Sequence, residues 1–265
     1  DWRIQRNALT GHFRLLDDRN RRRAWGTFRQ CRDRLDAVRA ERFFPPLKSE
    51  AVILLHGLGR SRIAMAGIAS YIEENTEYTV VNFTYSSMRE EMAGNAAALK
   101  TMIDDLDGVE RVHFVAHSLG NLVVRHYLAD RAKETEEGES RRTVGRIVML
   151  APPNGGAKMA ENFRDSRLLA FLFGSSITEV ARNWAELEER LIVPGCQFGI
   201  IAGNKGQNPL LEGANDLVLT VEETKLRGAH DFCEMPVFHN GINNGATDAE
   251  MIVAYDSATR DFVLE

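Results

Sequence analysis

From residue 51 onward, short apolar runs alternate with amphipathic stretches. Residues 51–55 are apolar throughout, the pattern of a strand buried on both faces of a parallel sheet. Residues 79–83, 112–116, 146–150, 198–202 and 231–237 read as further strands. The stretches at about 62–75, 89–106 and 119–130 read as helices; in the second, Met92, Ala96, Leu99, Met102 and Ile103 share one face. Residues 134–142 are charged and read as a surface loop. Strands alternating with helices over roughly 200 residues predict an α/β fold, a mostly parallel central sheet with helices on both faces.

Residues 1–46 have a different rhythm. Residues 2–5 and 12–16 read as two short strands around a Thr10-Gly11 turn. Thr27 then opens a helix in which Phe28, Cys31, Leu35 and Val38 recur on one face, and Pro45-Pro46 ends the extension. This segment is expected to pack as a strap on the body formed by residues 47–265.

The chain has 265 residues, 44% of them hydrophobic, and a net charge of -5. That length buries a sizeable core without staples. With a mean hydropathy of -0.28 and no apolar run near the ~20 residues that span a bilayer, a soluble globular protein is expected. Residues 1–50 hold thirteen Lys/Arg against seven Asp/Glu, and the rest hold twenty against thirty-one. A basic arm of this kind is one way to touch nucleic acid or an anionic surface. However, Arg21-Arg22-Arg23 is a single short cluster with Asp17, Asp18, Asp33 and Asp36 interleaved nearby, so a solvated face is the preferred reading and no nucleic-acid partner is expected. Cys31, Cys196 and Cys233 are far apart and odd in number, the usage of free thiols. The opening Asp1, without a signal-like segment, fits a processed exported protein and a shortened chain equally.

The strongest chemical signal is Val115-Ala116-His117-Ser118-Leu119-Gly120-Asn121, in which a buried strand meets a helix-forming stretch at Ser118. A tight strand-to-helix turn pushes such a serine hydroxyl out above the sheet, and small residues two before and two after it (Ala116 and Gly120) allow strand and helix to approach. Serine is a weak nucleophile unless a base removes its proton, and the base needs an acid partner. His239, in a turn after the strand at 231–237, is the preferred base over His230, which precedes that strand. Asp216, in the long loop after 198–202, is the preferred acid, with Glu212 as rival; Asp256 and Asp261 fall on a terminal helix. The glycine-rich turn His56-Gly57-Leu58-Gly59 follows the first core strand, where the N–H of Leu58, together with that of Leu119, suits an oxyanion hole. It matches neither a phosphate-binding loop nor a dinucleotide fingerprint, and no ligand spacing for a metal is seen.

These blocks, with Ala151-Pro152-Pro153-Asn154-Gly155-Gly156 and Gly213-Ala214-Asn215-Asp216, resemble the signature segments of α/β-hydrolase esterases and lipases, and most nearly bacterial lipase-like proteins with an A-H-S-x-G elbow. The resemblance covers about residues 50–263. It implies a cofactor-free serine carboxylester hydrolase acting on a small-molecule or lipid ester, with Ser118, Asp216 and His239 in the triad positions. Leu217 departs from the pattern, since such proteins often carry Gly after the triad acid. Thioester or amide hydrolysis uses the same triad, a non-catalytic hydrolase-fold binding protein is a further reading, and a binding module built on the basic arm is another. Oligomeric state is left open.

The insertion at about 155–194 is expected to form a cap. Its apolar piece, with Leu168, Phe171 and Phe173, either lines an acyl pocket or packs on the sheet, and a polar helix is expected at about 178–191. If it lines the pocket, a polar substitution at Phe171 or Phe173 is expected to slow hydrolysis of long-chain esters more than of acetate esters. Equal losses across a chain-length series would exclude the lining role.

Overall fold

The structure, a computed structural model, describes residues 2–7, 10–136, 142–156, 184–209 and 211–243. The chain divides into two compact units, Asp1–Pro46 and Leu47–Glu265. In the first, strands β1 (Arg3–Arg6), β2 (Phe13–Leu16) and β3 (Arg22–Gly26) pair antiparallel in that order. Helix α1 (Phe28–Arg42) starts at Thr27, which forms a reciprocal capping box with Gln30, and buries Cys31, Leu35 and Val38. Leu15, Cys31 and Leu35 form the small core of this unit, with Ile4, Phe13 and Ala24 packed against it.

Strand β3 was not expected from the sequence. Arg22, Arg23 and Trp25 are all exposed on it, so it carries no apolar alternation to announce it. Its hairpin is shaped by Asp17, whose Oδ1 accepts the N–H groups of Arg19 (3.0 Å) and Arg21 (2.8 Å) and whose Oδ2 accepts Nε of Arg23 at 2.8 Å. All three arginines of the cluster are exposed.

The second unit runs β4 (Glu50–Leu55), a single 3₁₀ turn (Arg62–Met65), α2 (Ala66–Asn75), β5 (Thr79–Phe83), α3 (Met92–Asp104), β6 (Arg111–His117), α4 (Leu119–Glu136), β7 (Thr143–Leu150), α5 (Trp184–Glu189), β8 (Phe198–Gly203), α6 (Val221–Thr224) and β9 (Asp231–Met235). The six strands form one sheet in the order β5-β4-β6-β7-β8-β9, and every neighbouring pair is parallel. Period-two alternation sorts the strand residues between two cores. Ala51, Ile53, Leu55, Val112 and Phe114 pack with α3 and α4 on one face. Val52, Leu54, Val115, Val148 and Leu150 pack with α2 on the other. The sheet is thus covered on both sides, as the patterning predicts.

Helix α4 extends past the expected end into the charged stretch. Residues 121–128 are buried without interruption, and the tail continues outward with Glu134 paired to Lys100 of α3 at 3.4 Å. Residues 137–141 lie outside the described residues. Helix α6 was also unexpected; it is one turn long and starts at Thr220, which forms a capping box with Glu223. No helix among the described residues is long and apolar enough to cross a membrane.

The chain passes from β4 to one neighbour, β5, and then crosses over β4 to reach β6. Such a reversal opens a crevice at the carboxyl ends of β4 and β6. Gly120, in the first turn of α4, keeps helix and strand close there: a Cβ on it would lie 2.9 Å from Leu55 Cβ and 3.0 Å from the carbonyl oxygens of Leu55 and His56. Because two of these contacts are backbone, Gly120→Ala is expected to destabilise the protein by about 1–3 kcal/mol, read from the urea midpoint. An unchanged midpoint would show that the contact can relax.

Candidate active site

Ser118 stands alone between β6 and α4 with φ 52°, in the left-handed region that disfavours a side chain. Its surroundings hold it there. Its N–H donates to the Leu150 carbonyl at 2.9 Å, and its carbonyl accepts both the N–H and Nδ2 of Asn121 at 3.0 Å. Asn121 Nδ2 also reaches the Leu150 carbonyl at 3.3 Å, which ties the turn to the end of β7. A Cβ on Gly57 would lie 3.1 Å from Ser118 Cβ, so the loop after β4 passes directly beside the serine.

The structure brings Ser118, His239 and Asp216 into one line. Nε2 of His239 lies 2.9 Å from Ser118 Oγ, and Nδ1 lies 2.7 Å from Asp216 Oδ2. A carboxylate beside Nδ1 assigns the proton to that nitrogen and leaves the Nε2 lone pair facing the hydroxyl. Asp216 is 1% exposed and His239 6% exposed, so this pairing takes place out of water. Asp216 Oδ1 is occupied by the N–H groups of Val218 (2.9 Å) and Leu219 (2.7 Å), which orients the carboxylate. The backbone N–H of His239 donates to the Asp216 carbonyl at 2.9 Å, clamping the two loops together.

The rivals fall elsewhere. Glu212 is exposed. The N–H of His230 donates to the Phe198 carbonyl at the opposite, amino-terminal end of β8. His126 also follows Ser118 in the sequence, but its Nδ1 pairs with Asp130 of the same helix at 3.1 Å. Asp256 and Asp261, and the expected cap residues Leu168, Phe171 and Phe173, lie outside the described residues. The last part of the insertion, α5, buries Leu187 in the main core. Arg125 braces both ends of the insertion, donating to the Asn154 side chain at 3.1 Å and to the Ile192 carbonyl at 3.0 Å.

The loop carrying Leu58 is held from below. The ring of His56 stacks on Tyr85 with centroids 4.4 Å apart, and its Nδ1–H donates to the Gly57 carbonyl at 2.9 Å. Tyr85 donates its hydroxyl to the His56 carbonyl at 2.5 Å. Burial lowers the His56 pKa against the opposing pull of the Gly57 carbonyl, so the ring is neutral at pH 7. Leu119 is the first residue of α4, where a helix N–H has no intrahelical acceptor and the helix dipole favours negative charge.

The sequence profile of the family described as Domain of unknown function (DUF7379) matches residues 19–188. The chain belongs to this family. The matched segment takes in β3 and α1 of the first unit and ends before Asp216 and His239. No curated protein matches the sequence. Among solved structures, the chain is similar to the mature Bacillus licheniformis lipase BlEst2, at 16% identity and TM-score 0.55, over 79% of this chain and 91% of that one. It is similar to phospholipase PlaB from Legionella pneumophila at 17% identity and TM-score 0.59, over 79% of this chain and 56% of that one, so it spans little more than half of the phospholipase. The metagenomic carboxyl esterase MGS0156 matches at 14% identity and TM-score 0.59, over 80% of this chain and 76% of that one. With the parallel sheet, these likenesses make this an α/β-hydrolase fold.

Sequence reasoning missed Tyr85 and Asn243, whose Nδ2 lies 3.3 Å from His117 Nδ1, and it gave Asn121 no role although that residue closes the Val115–Asn121 signal. Tyr85 and Asn243 carry no local mark, because each acts on a backbone group or ring brought to it by folding. The departure at Leu217 has a measurable cost: its φ is 83° and its side chain is 44% exposed, so little packing offsets a backbone conformation suited to glycine. Leu217→Gly is expected to raise stability by about 0.5–1 kcal/mol, the left-handed penalty less the added freedom of the unfolded chain. A lower urea midpoint would show that the Leu217 side chain contributes more than the strain.

Proposed function

We propose that this protein is a serine carboxylester hydrolase. The observation that carries the reading is the line Asp216–His239–Ser118, with links of 2.7 and 2.9 Å, running from a buried carboxylate and imidazole to a half-buried serine in the left-handed turn of a strand–turn–helix. Nε2 of His239 takes the proton of Ser118 as Oγ attacks the ester carbonyl carbon. The resulting oxyanion is stabilised by the backbone N–H groups of Leu58 and Leu119. His239, its positive charge balanced by Asp216, returns the proton to the leaving alkoxide, and the acyl group stays on Ser118. Water, deprotonated by the same imidazole, then attacks the acyl carbon; the bond to Ser118 Oγ breaks, the acid leaves, and His239 returns the proton to Oγ. Leu168, Phe171 and Phe173 are proposed as part of the acyl pocket. The lipase, phospholipase and carboxyl esterase among the structural neighbours support ester chemistry through the shared fold.

The test is hydrolysis of p-nitrophenyl esters from acetate to palmitate, with acyl thioesters alongside. Ser118→Ala and His239→Ala are each expected to lower kcat by about four to six orders of magnitude with little change in KM. The wild-type protein is expected to be labelled stoichiometrically at Ser118 by an organophosphonate. Turnover retained in either variant would overturn the assignment, and thioester turnover without ester turnover would move the substrate class.

A further inference from the structure

His117 ends β6 immediately before Ser118, and its ring turns away from solvent, with 1% of the residue exposed. Its Nε2 lies 3.0 Å from the backbone carbonyl oxygen of His239, and its Nδ1 lies 3.3 Å from Nδ2 of Asn243. A carbonyl only accepts, so Nε2 carries the proton; Nδ1 then offers its lone pair to the Asn243 amide. Burial pushes the His117 pKa well below its ordinary value, and the neighbouring His239 adds to this, which keeps the ring neutral. The backbone of His239 is therefore gripped on both sides: its N–H by the Asp216 carbonyl at 2.9 Å and its carbonyl by His117 at 3.0 Å.

We infer that His117 is a positioning residue, a neutral imidazole that holds the main chain of His239 and so sets the base over Ser118. The ring is also built into the opposite wall of the site. A Cβ on Gly57 would lie 2.9 Å from His117 Nδ1, so the glycine beside Leu58 leaves room for this side chain. One imidazole thus spaces the loop after β4 from the turn that carries the base. Ring centroids of His117 and His239 are 5.0 Å apart and tilted by 46°. Misplacing a reacting group by about 1 Å costs on the order of a hundredfold in rate, and the hydrogen bond to the His239 carbonyl opposes that displacement.

The role rests on the hydrolase reading above, and three substitutions separate it from simple space filling. Glutamine carries its amide nitrogen about where Nε2 lies, asparagine reaches only as far as Nδ1, and phenylalanine keeps the ring without a donor. If His117 positions His239, His117→Gln is expected to keep kcat within about threefold of wild type. His117→Asn and His117→Phe are expected to lose about ten- to a hundredfold in kcat with KM unchanged. If the ring only fills space, the order reverses and phenylalanine is tolerated best, which would overturn the inference. Should the phenylalanine variant fail to fold, equal kcat for the glutamine and asparagine variants would still overturn it. A readout independent of turnover is the proton resonance of the His239 Nδ1–H held by Asp216, expected to persist in wild type and His117→Gln and to be lost to solvent exchange in His117→Asn. Equal persistence in both variants would overturn the role of His117. A wild-type protein that shows this resonance but hydrolyses no ester and takes no phosphonate would instead overturn the hydrolase reading alone.

Discussion

A serine in the left-handed conformation persists only where its surroundings over-determine it, because the backbone strain is of order 1–3 kcal/mol. Ser118 is held by three elements at once. β7 accepts its N–H through Leu150, α4 grips its carbonyl through Asn121, and the loop after β4 closes against its Cβ at Gly57. Each of these contacts requires a small residue or a buried amide at a defined place. The parallel sheet supplies that place by ending β4, β6 and β7 side by side. Loosening any of the three would let the turn relax and take the hydroxyl out of line with His239.

The electrostatics follow from the same burial. Three imidazoles, those of His56, His117 and His239, crowd the carboxyl ends of the strands, and all three are at least nine-tenths buried. Three charged rings in so dry a space would repel one another, and the structure gives the first two neutral work. His56 donates to the Gly57 carbonyl and His117 to the His239 carbonyl, and desolvation lowers the pKa of both. Only His239 faces a carboxylate, so only this ring has a partner for a positive charge. Asp216, with Oδ1 already occupied by two backbone N–H groups, presents Oδ2 to it without freedom to turn.

The two units divide the chain's chemistry unevenly. The first carries the arginine excess on a small antiparallel sheet and on α1, and its Asp17 accepts from Arg19, Arg21 and Arg23, alternate positions along the hairpin. The second carries Ser118, His239 and Asp216. The family match crosses from one to the other but stops before the residues that follow β8. The placing of Asp216 and His239 beside Ser118 therefore rests on the geometry of this chain, and the common fold of the solved neighbours supplies the sheet on which they sit.

The strands of the central sheet were legible in the sequence because burial on both faces leaves a run such as residues 51–55 with no polar alternation. The elbow was legible for a related reason: a serine flanked by Ala116 and Gly120, between a strand and a helix, is a local pattern. Strand β3 was not legible, since Arg22, Arg23 and Trp25 point to water and only its pairing with β2 defines it. The extra turns of α4 were hidden by charges that the helix exposes or pairs across to α3. By itself, then, the sequence determined the alternation of strand and helix, the turn at Ser118 and the order in which acid and base candidates follow it. Only the tertiary structure decided that Asp216 and His239 meet Ser118, that His117 reaches the main chain of His239, and that Tyr85 braces the loop of Leu58. Those pairings join residues up to 122 positions apart, and a contact of that kind depends on which strand ends the sheet order sets side by side, which no local pattern encodes.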